Sequence, residues 1–222
     1  MAAIERWQER ALATYALIPG GGGDPWEWHR LVSELASRGQ EAIAARLPAD
    51  DDTAGWSDYA DAVVEAIGDR ADVILVAASM GGFTAPIVCT RRPVDLLVLL
   101  NAMIPVPGET FNAWGSNTGS AAARAEYHAR LGLSPAEAND DAVVYYHDMS
   151  PDLRAEAQAR TWQDQSITPL DEPWPLCSWP DVPTRVLAGR HDRMFPLDFQ
   201  RRVARDVSPS KSRRSTAITW PL

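Results

Sequence analysis

Long apolar runs are missing from this 222-residue sequence, and so are most of the residues that build metal sites or disulfide frameworks. Only two cysteines occur, Cys89 and Cys177, too few for a disulfide scaffold and without metal-site spacing. Both are expected as free thiols, Cys89 on a half-buried helix. No stretch reaches the length of a membrane span, and Met1 to Arg10 mixes acids, bases and one Trp without a signal-peptide core. The expected address is therefore the cytoplasm, with no membrane partner. Positive charge is also short: 21 Lys and Arg against 30 Asp and Glu leave a formal charge of −9. That balance argues against a nucleic-acid partner, because phosphates would need a surplus of cations on some face. Small-molecule chemistry is the remaining expectation.

What is present reads as one core of alternating strands and helices. Thr14 to Pro19 is a short apolar strand that runs into four glycines, Gly20 to Gly23, where the backbone must turn. Asp24 is placed to cap the next helix, Pro25 suits its first position, and Glu27 stands at capping-box spacing. Leu31, Val32 and Leu35 form that helix's apolar stripe, and Gly39 fits its stop. Ala42 to Leu47 is a second strand and Tyr59 to Ile67 a second helix, with Val63, Val64 and Ile67 on one side. Val73 to Ala77 and Leu96 to Leu100 are near-continuous apolar strands of the kind buried on both faces, and Arg185 to Ala188 is a shorter one. Together these predict an α/β fold, a parallel sheet covered by helices on both faces. Between Asn101 and Asp181 the alternation gives way to Pro-, Gly- and Trp-rich loops and polar helical stretches such as Pro151 to Thr161. The expected organisation is a core from residues 1–101 and 182–207, a cap from 102–181, and a basic, Ser-rich tail at 208–222.

The strongest chemical signal is Val76-Ala77-Ala78-Ser79-Met80-Gly81-Gly82, a serine between a buried strand and a helix. A strained turn there lifts the hydroxyl out of the sheet, and small residues two before and two after it, Ala77 and Gly81, let strand and helix pass closely. Taken alone, Ser79 also reads as a helix-capping serine. Attack of a serine on a carbonyl leaves negative charge on oxygen, so the site needs N–H donors already in place. Met80 supplies one, and the glycine turn a second, expected from Gly21 because side chains would obstruct the backbone there. The turn lacks the Gly-Lys-Ser/Thr of a phosphate loop and the third glycine of a dinucleotide fingerprint. Asp192, in Gly189-Arg190-His191-Asp192-Arg193-Met194-Phe195-Pro196, follows the late strand and suits the acid that orients an imidazole, though a turn or capping role fits the motif alone.

With these elements placed, residues 13 to 207 resemble the α/β-hydrolase superfamily, and more closely its small esterase and hydroxynitrile-lyase branch. Pro-Gly-Gly-Gly-Gly-Asp-Pro-Trp-Glu-Trp, residues 19 to 28, is similar to that branch's His-Gly turn and Trp-x-Trp helix start, with Pro19 in place of the His. Asp192 with Pro196 four residues on resembles its acid motif. The resemblance implies Ser79 as nucleophile, Asp192 as acid, the Gly21 and Met80 N–H groups as oxyanion hole, no cofactor, and a small-molecule ester as substrate. It also implies a histidine in a loop near the C-terminus, and none of the four, His29, His128, His147 and His191, lies there. His128 and His147 are expected to be structural residues of the cap, and His191 a poor partner for the carboxylate beside it in sequence. A lyase of that branch uses a lysine near its histidine, and the only lysine here is Lys211. The competing readings are a catalytically silent binding protein with the same pocket and a damaged or truncated enzyme, and without the triad histidine only slow ester hydrolysis is expected. Trp114, Trp162, Trp174 and Trp179 are candidates for pocket walls or for the packing core of the cap. The tail reads either as an ordinary divergent end or as a shifted frame: if Ile218-Thr219-Trp220 is encoded by ATC ACC TGG and the Ala217 codon ends in G, reading one base earlier gives Asp-His-Leu.

Overall fold

A computed structural model describes residues 13–206. Five strands, β1 (Thr14–Ile18), β2 (Glu41–Ala44), β3 (Val73–Ala78), β4 (Leu96–Leu100) and β5 (Thr184–Leu187), form one sheet in the order β2-β1-β3-β4-β5, parallel throughout. The helices are α1 (His29–Ser37), α2 (Trp56–Ile67), α3 (Gly81–Arg91), α4 (Phe111–Thr118), α5 (Ser120–Arg130), α6 (Asp141–Val144), α7 (Pro151–Gln158), α8 (Thr168–Asp171) and α9 (Leu197–Asp206). No helix among the described residues is long and apolar enough to cross a membrane. The tail at 208–222, with its proposed shifted frame, lies outside the described residues.

Side chains alternate across a strand, so each strand feeds two layers. Ala16, Ile18, Val73, Leu75, Ala77, Leu97 and Leu99 join the larger core with α2, α3 and α9. Leu17, Ile74 and Val76 point the other way, into a smaller cluster with Trp28, Leu31 and Val32. Helices thus cover both faces, as the apolar strands predicted. On β4 the cover is uneven: Leu97 and Leu99 are buried, whereas Leu96, Val98 and Leu100 are half-buried.

Local differences from the sequence reading have identifiable causes. β2 stops pairing at Ala44, after which the Ala45 N–H donates to Leu17 O (2.9 Å) and the Leu47 N–H to Gly23 O (3.1 Å), bending the chain towards the glycine turn. Helix α2 begins at Trp56, three residues before Tyr59, because acceptors are waiting at its start. The Gly55 N–H donates to Asp58 (2.9 Å) and the Trp56 N–H to Glu172 (2.8 Å). Asp24 does cap the turn that opens the first helical stretch, accepting from the Trp26 N–H at 2.9 Å. Glu27 forms no capping box. That first turn, Pro25–Trp28, is a 3-10 turn, and Glu27 reaches back across the loop to accept the Gly20 N–H at 3.0 Å.

The segment between β4 and β5 carries α4 to α8 and shares the main core. Trp114 and Trp174 are 1% and 2% exposed, and their indole N–H groups donate to Ile104 O (3.1 Å) and Phe83 O (2.9 Å). Trp114 also meets Phe195 and Phe199 edge-on, at 5.5 and 5.8 Å between ring centroids. These two tryptophans are therefore core, and Trp179 packs against the same core half-buried. Trp162 is different: it is partly exposed and sits edge-on to Trp26 at 5.4 Å.

Candidate active site

Parallel pairing puts the ends of all five strands on one side of the sheet, and the sequence-predicted site residues gather there. Ser79 follows β3 with φ of +50°, a left-handed conformation that costs a non-glycine residue about 1–2 kcal/mol. Its carbonyl accepts the Gly82 N–H (3.2 Å) and the Met103 N–H (2.8 Å), which tie the turn to α3 and to the chain after β4. Its hydroxyl takes no hydrogen bond among the described residues. The backbone is strained where the side chain is unengaged, and Ser79 does not cap α3.

Close approach explains the small residues around it. A Cβ on Gly81 would stand 2.7 Å from Pro19 O, and one on Gly82 would overlap the Met103 carbonyl oxygen. In the glycine turn a Cβ would lie 3.0 Å from that of Ser79 at Gly20, 2.9 Å from Gln163 O at Gly22 and 2.7 Å from Leu47 Cβ at Gly23, whereas nothing lies within 4 Å of one on Gly21. The expectation that side chains would obstruct the turn holds for Gly20, Gly22 and Gly23 and is corrected at Gly21 itself.

The turn's N–H groups are disposed of in order. Gly20 donates to Glu27, Gly22 to Gln165 Oε1 (3.0 Å) and Gly23 to Gly20 O (3.2 Å). The Gly21 N–H has no acceptor among the described residues, and neither has that of Met80, which is buried at the start of α3. Two unspent donors thus flank Ser79.

Asp192 lies in the loop after β5, half-buried. Its Oδ1 accepts from the N–H groups of Met194 (2.8 Å) and Phe195 (2.6 Å), and the Asn101 side chain favours the charged carboxylate as well. Burial pushes its pKa above the ordinary carboxyl value, outweighing those bonds and the charge of His147. Asn101 sits at the end of β4 in a left-handed conformation (φ +44°), and its Oδ1 accepts the Gly189 N–H at 2.7 Å. It therefore fixes the Asp192 loop against the strand between Ser79 and Asp192, a role signalled in the sequence only by an Asn after an apolar strand.

A strap from Arg160 to Thr168 binds the glycine turn from outside. Arg160 reaches Asp24 Oδ2 (3.0 Å) and lies over the Trp26 ring, Gln163 Nε2 donates to Leu47 O (3.1 Å), and Gln165 bridges the Gly22 N–H and Tyr59 Oη (2.9 Å). Burial raises the Asp24 carboxyl, but the Trp26 N–H, Arg160 and Arg46 outweigh it and hold its pKa below the usual range. Among the described residues no three His, Cys, Asp or Glu side chains gather into a group that could hold a metal ion.

The model of the alpha/beta hydrolase family matches residues 16–217, nearly the whole chain. The chain belongs to the α/β-hydrolase family. Its fold matches polyneuridine aldehyde esterase with a TM-score of 0.69 at 17% identity, covering 94% of this chain and 92% of that one. An extracellular α/β-hydrolase from a Paenibacillus species, described as sharing structural and functional homology with tobacco salicylic acid binding protein 2, matches at 0.62 and 20% identity, over 83% and 81% of the two chains. A pyrethroid hydrolase from Sphingobium faniae JZ-2 matches at 0.63 and 17% identity, over 95% and 89%. No curated protein matches by sequence. At such identities the structural likeness speaks for the α/β-hydrolase fold.

Proposed function

We propose that this α/β-hydrolase cleaves small carboxylic esters through an acyl-serine intermediate on Ser79. The observation that carries the reading is Ser79 itself, held at positive φ between β3 and α3 with an unengaged hydroxyl and two unspent N–H donors beside it. Ser79 Oγ bonds to the ester carbonyl carbon while the carbonyl π pair moves to oxygen, and the Gly21 and Met80 N–H groups receive that oxyanion. One such donor is worth roughly 3 kcal/mol of transition-state stabilisation. Asp192 is the carboxylate that orients a proton-carrying imidazole. The segment of residues 102–181 acts as a cap over the strand ends. The esterase and the pyrethroid hydrolase among the structural neighbours support an ester as the substrate class.

A fluorophosphonate probe tests the reading. The unmodified chain is expected to label on Ser79 and to turn over p-nitrophenyl acetate, and Ser79→Ala to do neither. A chain that binds esters without labelling is a silent binding protein, and that result would remove the proposal.

A further inference from the structure

We infer that Glu27 is a positioning residue of the oxyanion site, its carboxylate aiming the Gly21 N–H by holding the backbone just before it. This deepens the ester-hydrolase reading above and rests on it.

The glycine turn lies against the nucleophile. A Cβ on Gly20 would stand 3.0 Å from Ser79 Cβ and 3.5 Å from its Oγ, so the Gly20 backbone passes directly beside the hydroxyl. What the Gly21 N–H can reach depends on how the peptide unit joining Gly20 to Gly21 is turned. In a trans peptide the carbonyl and the N–H point opposite ways. The Gly20 carbonyl accepts the Gly23 N–H inside the turn, at 3.2 Å, so the Gly21 N–H of the same unit points out of it. That bond alone is a poor hold. It is at the long end of the normal range, and the unit lies between two residues without side chains, where backbone rotation meets little resistance.

Glu27 supplies the second hold. The Gly20 N–H donates to its Oε2 at 3.0 Å, and a carboxylate acceptor makes such a bond roughly twice as strong as a neutral one. Gly20 is thereby tied at both its N–H and its carbonyl, while the Gly22 N–H on the far side is tied to Gln165. Gly20 is buried, so without the carboxylate a buried donor loses its partner, and an all-glycine turn relieves that cost by rotating.

The carboxylate projects from a fixed point. Glu27 lies in the 3-10 turn between Trp28, 5% exposed in the smaller core, and Trp26, which stacks on His29 at 4.4 Å. Capping of that turn is already done by Asp24, through the Trp26 N–H at 2.9 Å. The start of the helical stretch therefore does not need Glu27, and its bond serves the glycine turn.

The test compares Glu27→Ala, Glu27→Asp and Glu27→Gln in the full chain with p-nitrophenyl acetate and an alkyl trifluoromethyl ketone. The ketone reads the oxyanion directly: Ser79 Oγ bonds to its carbonyl carbon, the π pair moves to oxygen, and the hydroxyl proton leaves to water. An absent oxyanion donor costs about 10²–10³ in kcat and a misaimed one a part of that, so Glu27→Ala should lower kcat and ketone affinity alike, at least about 10-fold, with little change in KM. Glu27→Asp, one methylene too short to reach Gly20, should do the same. Glu27→Gln should stay close to the unmodified rate, because its amide oxygen still accepts the Gly20 N–H. An unchanged kcat in natively folded Glu27→Ala, a kcat loss without a matching loss of ketone affinity, or an equal loss in Glu27→Gln overturns the inference. Should Glu27→Ala and Glu27→Asp both unfold, amide hydrogen exchange of the unmodified chain decides. The Gly20 N–H is expected to be protected with and without the ketone, and the Gly21 N–H only with it; an unprotected Gly20 N–H, or a Gly21 N–H that the ketone leaves unprotected, overturns the inference. Absence of any Ser79-dependent labelling or turnover in the unmodified chain removes the ester-hydrolase reading itself and this inference with it, whereas normal labelling with an unaffected Glu27→Ala removes the inference alone.

Discussion

Replacing Gly82 with alanine measures how tightly α3 is pressed onto the chain after β4. The new Cβ would overlap the Met103 carbonyl oxygen, stand 2.9 Å from its carbon and 3.2 Å from Ala102 Cβ. Normal contact requires a shift of roughly 1 Å or more between two backbones. Neither side yields readily, since the Met103 N–H is bonded to Ser79 O (2.8 Å) and Ala102 O accepts from fully buried Gln200 (3.3 Å). Overpacking of this kind costs about 1–3 kcal/mol and one broken hydrogen bond about 1 kcal/mol, while alanine's better helix propensity returns at most about 1 kcal/mol. The clash wins, for a net loss of about 2–3 kcal/mol, or a fall in Tm of about 5–10 °C for a chain of this size. Urea and thermal unfolding followed by circular dichroism read it directly. Gly21→Ala is the control, since nothing lies within 4 Å of its Cβ, and its stability should change by less than about 0.5 kcal/mol. A Gly82→Ala protein as stable as its parent, or more stable, would refute the close approach on which the Ser79 turn depends.

Asp192→Asn should lower ester turnover while leaving the protein at least as stable at neutral pH, because the amide oxygen can keep the Met194 and Phe195 N–H bonds without a buried charge. The raised carboxyl pKa means that Asp192 favours the folded state below the unfolded value of about 3.9 and that this contribution disappears as pH rises through the folded pKa. The stability difference, mutant minus parent, should accordingly grow from acid to neutral pH, and a difference that shrinks over that range contradicts the burial argument. Thiol chemistry gives a simpler check. Burial pushes the Cys89 thiol up to about 12 whereas Cys177 is exposed, so Ellman's reagent should titrate one thiol in the native protein and two in denaturant.

Much of the sheet was legible because its strands are short apolar runs bounded by Gly, Pro and Asp. Leu96 to Leu100 was placed to the residue, and β3 and β5 within one. The Ser79 turn was legible for the same reason, being a local motif of seven residues. Tertiary relations were not. Glu27 has capping-box spacing, yet its carboxylate goes to the Gly20 N–H because the loop folds back over it. Gln165 and Gly22 are 143 positions apart, and nothing periodic in a polar, irregular stretch announces that the one binds the other. The expectation that Trp114 and Trp174 belong either to a pocket or to packing was resolved by indole N–H bonds to Ile104 and Phe83, carbonyls that no sequence pattern marks as acceptors.

Gln165 gives the molecule a property beyond holding two segments together. One side-chain amide grips the glycine turn through the Gly22 N–H and the body of the protein through Tyr59, and it stands next to the strap's own anchor, the Ser166 N–H on Ala49 O (2.6 Å). Lifting the strap therefore loosens the residue beside the proposed Gly21 donor at the same moment. Strap position and the geometry proposed for the oxyanion are thus one mechanical variable.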